Sequence, residues 1–89
     1  MNNKQILGAL SLDLKRVAIG YFRGSAIMSQ KFFEEAMKRR DEIDNTTLKP
    51  YLVKFLNDME NLKNKKDDRA AEDALLYSTI FQNASMIIS

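Results

Sequence analysis

Apolar residues return every three or four positions along most of this chain, and the returns fall into four segments separated by short polar breaks. That spacing is the α-helical one, so the pattern predicts an all-α protein. In a first helix, about 3–22, Ile6, Leu7, Leu10, Leu14, Val17, Ala18 and Tyr21 share one stripe about 100° wide. Arg23-Gly24-Ser25 reads as a stop and restart, since Gly suits the left-handed position after a helix and Ser can accept from the next helix's free N–H groups. The competing expectation is a helix that runs on through Gly24.

The second helix, about 25–44, turns Met28, Phe32, Phe33, Ala36 and Ile43 inward and sets Glu34 and Glu35 within a turn of Lys38 and Arg39. Asp44-Asn45-Thr46-Thr47 supplies turn and cap chemistry, and Pro50 fits a first helical turn, where its missing N–H has no partner to lose. Leu48, Leu52, Phe55, Leu56, Met59 and Leu62 make a third amphipathic helix over about 48–64. The fourth, about 68–87, carries Ala70, Ala74, Tyr77, Phe81, Ala84 and Ile88 on one face. Short connections between four comparable helices predict a single domain over residues 1–89, built as an antiparallel up-down four-helix bundle.

A second apolar stripe has no place in such a core. Leu76, Ile80 and Ile87 lie roughly 180 to 240° from the inner face of the fourth helix, and Leu12 and Ile19 sit opposite Leu14 and Tyr21 on the first. First and last helices are neighbours in an up-down bundle, so the two stripes are expected to merge into one exposed patch. A domain this short is poor in core and gains some by pairing. The expectation is a homodimer through helices one and four, centred on Leu12, Ile19, Leu76, Ile80 and Ile87, with a hetero-complex as the alternative.

Charge and composition narrow the chemistry. The 14 basic and 12 acidic residues leave a net charge of +2. They are also segregated: residues 46–66 hold five basic and two acidic side chains, a net of +3, whereas 67–89 hold one basic and four acidic, a net of −3. The sign flips at the turn between the third and fourth helices, where Lys63, Lys65 and Lys66 meet one helix's negative end and Asp67, Asp68, Glu72 and Asp73 the next one's positive end. Each group is expected to stabilise its own helix.

With no Cys there is no thiolate metal site, and with no His the commonest general base and metal ligand is missing and the serines have none to activate them, so no catalytic activity, metal or cofactor is expected. Gly8, Gly20 and Gly24 match no phosphate-binding spacing. Arg40 falls on the core side beside Phe33, Ala36 and Ile43 and is a candidate for a small pocket, although its stem can pack while the guanidinium reaches water. The KNKK and KRR clusters leave a nucleic-acid-associated role as the second reading. No apolar run is long enough to span a membrane and no secretory signal opens the chain, so a cytoplasmic protein is expected.

The rhythm of YFRGSAIMSQKFFEEAMK and NKKDDRAAEDALLYSTIF, each a polar or glycine break followed by an Ala-containing amphipathic helix, resembles HEPN-type helical domains and helical-hairpin repeats. The HEPN ribonuclease signature places a His shortly after an Arg. This chain has no His, so the resemblance implies a catalytically inactive, binding-only member, RNA-binding in the second reading. The first reading is a small non-catalytic interaction or regulatory module acting as a homodimer.

Overall fold

Asn2 opens the first helix. Its side chain accepts from the Gln5 N–H at 2.9 Å and its own N–H donates to the Gln5 side chain, which satisfies two otherwise free donors. The computed structural model of the chain describes residues 2–87, whose regular elements are all helices joined by short turns, with no strand among them. The α-helices are α1 (Asn3–Phe22), α2 (Ala26–Asp41), α3 (Pro50–Asp58) and α4 (Asp67–Ile87), with 3₁₀ segments at Asn45–Thr47 and Met59–Asn64. Ile88, expected on the inner face of the fourth helix, lies outside the described residues.

Gly24 does end the first helix. Its φ of 73° is the left-handed conformation, and the Ser25 N–H reaches back to the Gly20 carbonyl at 2.8 Å while the Gly24 N–H reaches Tyr21 at 3.1 Å. This pair of bonds is the glycine-based C-terminal motif that closes the last turn. Ser25 then caps α2 through the Met28 N–H. The third helix departs from expectation: it is α-helical only to Asp58 and continues as a 3₁₀ segment. Its stripe survives because 3₁₀ geometry repeats every three residues, so Met59 and Leu62 stay on the side that Leu52 and Leu56 occupy, and all four are buried.

Helix α1 is the axis of the molecule, with α2 packed along one side and α4 along the other. Small residues allow both approaches. On the α2 side, the Ser29 hydroxyl donates to the Val17 carbonyl at 3.0 Å, and a Cβ placed on Gly20 would stand 2.8 Å from the Ser29 backbone nitrogen. On the α4 side, the Ser78 hydroxyl donates to the Ser11 carbonyl at 2.7 Å, and Gly8 faces Ser85. In both pairs the residue numbers on α1 rise as the neighbour's fall: Asp13 meets Arg39 and Val17 meets Ser29, while Gly8 meets Ser85 and Ser11 meets Ser78. Both neighbours therefore run opposite to α1.

The remaining side of α1 is covered by α3 and the 3₁₀ segment after it. Leu52, Leu56, Met59 and Leu62 join Leu7, Leu10, Leu14, Val17 and Phe81 in one core, and Phe55 tilts against Tyr77 with ring centroids 5.9 Å apart. Asn3 ties the α2 to α3 connection down to the start of α1. Its amide donates to the Asp44 carbonyl and the Thr47 hydroxyl, and its oxygen accepts from the Asp44 N–H. No helix among the described residues is long and apolar enough to cross a membrane.

Gly20→Ala is expected to destabilise the protein by about 1–3 kcal/mol in urea unfolding, because the new methyl meets the Ser29 backbone as well as its hydroxyl, and the backbone cannot swing aside. Gly8→Ala, whose nearest neighbour is the Ser85 hydroxyl at 3.9 Å, is the control and should cost little or be stabilising.

Candidate functional site

Five residues were expected to form one apolar patch, and the structure separates them. Ser78 marks the side of α4 that touches α1. Counting round the helix, Leu76, Ile80 and Ile87 lie about 160 to 180° from it, on the flank away from α1. Ile80 is partly buried against the core, and Ile87 lines a small groove with Thr47, Leu48, Lys49 and Tyr51 at the start of α3. These three do not merge with α1. Leu12 and Ile19 do face outward beside α4, Leu12 being 54% exposed and Ile19 half-buried.

The residue that completes their face is Leu75. It stands about 60° from Ser78 on the side opposite Phe81, hence on the outer edge of the seam, and is 43% exposed. Sequence reasoning passed over it because the inner face had been centred on Ala74 and Tyr77. The contact with α1 is in fact shifted toward Ala71, Ser78 and Ser85, three buried small residues seven apart. That heptad of small side chains was the available signal.

Arg40, expected on the core side, and Arg39, expected beside Glu35 on the surface, both turn toward neighbouring helices. Arg40 donates from Nε to the Leu56 carbonyl at 2.9 Å and from its terminal nitrogen to the Asn57 side chain, with Glu60 3.5 Å away. Its side chain is only 16% exposed. The guanidinium thus pins the place where α3 turns into the 3₁₀ segment, with stem and head both engaged. Arg39 approaches Asp13 at 3.7 Å and Arg16 approaches the same carboxylate at 3.8 Å while lying over the Phe32 ring.

Asp13 itself is buried on α1 between these arginines, and its Oδ2 has no hydrogen bond. Burial pushes its pKa above 3.8, and the two guanidinium charges only partly offset that rise. At the turn before α4, Lys65 bonds Asp73, which Arg69 also approaches at 3.4 Å. Lys65 and Asp73 therefore act across the turn rather than each on its own helix end. Sequence spacing alone does not bring residues of different segments into register, so the contacts of Arg39 with Asp13, Arg40 with α3 and Lys65 with Asp73 were not anticipated.

A further concavity lies elsewhere, between the start of α2 and the start of α4. It is a half-open cleft of about 430 Å³ lined by Tyr21, Ala26, Gln30, Phe33, Glu34, Lys63 and Asp67. Burial and the nearby Asp67 carboxylate both raise the pKa of the Tyr21 hydroxyl above 10.0. Arg40 lines neither this cleft nor the groove at Ile87.

Comparison of the chain with family models, with curated proteins and with solved structures finds no match.

Two predictions follow from the inward charges. Arg40→Met keeps the stem but removes the donors, and should cost about 1.5–3 kcal/mol in denaturant unfolding, as hydrogen bonds from a charged group do. Asp13 titrates above its unfolded value, so its contribution favours the fold below pH 3.8 and is lost as pH rises through the folded-state pKa. Relative to Asp13→Asn, the natural protein should therefore lose stability as pH climbs from about 4 toward neutrality. A gain over that interval would show the arginines to be the dominant influence.

Proposed function

We propose that this protein is a non-catalytic interaction module that works as a homodimer, an antiparallel up-down helical bundle meeting its copy along the outer seam of α1 and α4. The observation that carries the reading is the apolar face of Leu12, Ile19 and Leu75, set on both sides of a seam that the chain's own α2 and α3 leave uncovered. Its charge layout favours a second copy over a different partner. Asp68 and Glu72 are exposed on the Leu75 side of α4 near its start, and Lys4 is exposed on the corresponding side of α1 at the other end of the seam. A two-fold axis that turns the helices end for end brings the acidic end of one copy against the basic end of its mate. Burying the leucines then extends a core that one short chain can build only thinly.

The nucleic-acid reading has weaker support. The KRR cluster directs Arg39 and Arg40 toward Asp13 and α3, and the KNKK cluster engages Lys65 with Asp73, so three of these cations are held by the fold instead of facing a phosphate backbone.

Light scattering tests the homodimer. The natural protein should have the mass of two chains, and Leu12→Lys with Leu75→Lys the mass of one at unchanged helical circular dichroism. Leu76→Lys, on the far flank of α4, should keep the two-chain mass. A natural protein that stays monomeric at high micromolar concentration ends this reading.

A further inference from the structure

The cleft between α2 and α4 shares no residue with the seam, and it is built for something other than a helix. Ala26, Gln30 and Glu34 follow one another at four-residue spacing down a single face of α2, with Phe33 beside them. Lys63, from the 3₁₀ segment, and Asp67, the first residue of α4, form the opposite wall. Tyr21 and Phe33 supply an aromatic floor whose other side rests on the core, so the floor is held in place by packing that does not depend on an occupant. At about 430 Å³ the space falls within the roughly 300–1,000 Å³ typical of small-molecule sites.

The rim is charged, and its charges leave one another alone. Glu34, Lys63 and Asp67 border one opening, yet among the described residues none of the three is held in an ion pair. All three are exposed, whereas the half-buried cations Arg40, Lys65 and Arg39 are engaged by α3, Asp73 and Asp13. Two carboxylates against one ammonium give the rim a net charge of −1. Burial first, and then the Asp67 carboxylate, raise the pKa of the Tyr21 hydroxyl at this rim.

We propose that this cleft is a binding site for a small aromatic or strongly apolar amine, its ammonium placed between Glu34 and Asp67 and its ring on Phe33 and Tyr21. A cation there gains from both carboxylates and from the faces of the two rings. A neutral apolar molecule would desolvate the carboxylates without repaying them, and an anion would meet two like charges for one opposite. A bare divalent metal ion is a poorer occupant, since among the described residues no three candidate ligands gather to hold one. Lys63 sits where it can accept an acidic substituent on the ligand, which would extend the class to aromatic amino acids and exclude diamines.

The test uses the whole chain and amide-resolved NMR titration with phenethylamine hydrochloride, with the neutral phenylethanol as comparator. Phenethylamine should give saturable shifts at the amides of Tyr21, Ala26, Gln30, Phe33 and Glu34 at low millimolar concentration, and phenylethanol should bind at least about tenfold more weakly. In the double variant Glu34→Gln with Asp67→Asn, phenethylamine affinity should fall about tenfold or more while the remaining spectrum shows the fold intact. Equal binding of alcohol and amine, affinity unchanged in the double variant, or no saturable shift at the cleft each overturns the proposal. The dimer interface is read separately by mass, so failure of one assignment leaves the other standing.

Discussion

The architecture depends on how closely two helices approach α1. At Gly20 the α2 backbone comes so near that a single methyl group has no room, and at Ser11 a serine from α4 bonds the α1 main chain itself. Such contacts make backbone carbonyls part of the packing surface, and Ser29 and Ser78 reach them without leaving a buried hydroxyl unpaired. Large side chains are thereby concentrated on the third side of α1, where Leu7, Leu10 and Leu14 meet α3, its 3₁₀ continuation and Phe81. One wall of the core is built from bulk and two from proximity.

The division explains what could be read from the residues alone. Helical periodicity reports bulk well, so α1 was delimited correctly and the stripes of α1 and α3 were identified almost residue by residue. It reports proximity badly. Ser29, Ser78 and Ser85 look polar in a hydropathy pattern, yet all three are buried, and the burial of Ser78 and Ser85 against α1 leaves Leu75 facing out beside α1 while Ile80 packs against the core. The change from α to 3₁₀ at Met59 was invisible for a related reason. An apolar residue every three or four positions is compatible with both geometries, and the Arg40 contacts that accompany the junction come from another helix. The cleft was illegible because its walls come from four separate segments.

A second theme is the fate of charge. The sequence presents 26 ionisable acidic and basic side chains, 14 and 12, in a pattern that suggests solvated helix surfaces. In the folded chain Asp13, Arg40 and Asp73 are largely withdrawn from solvent and placed where helices cross. Their value is more specific than a general contribution to stability, because an ion pair taken out of water returns little net energy. Asp13 fixes α2 in register with α1, Arg40 fixes α2 on α3, and Asp73 fixes α4 on the turn before it. Helices that touch through small, nearly interchangeable residues need such markers to choose one register among several.

The arrangement of α4 also bears on how the molecule is made. The hairpin of α1 and α2 closes through partners a dozen residues apart, whereas Ser11 waits for Ser78 across a separation of 67 residues. On a ribosome the first three helices emerge while one whole flank of α1 is still bare, and the hydroxyl that will cover its main chain has yet to be translated. The hairpin of α1 and α2 can therefore close on a nascent chain before α4 exists, whereas the seam with α4 has to wait for that helix and closes a far longer loop.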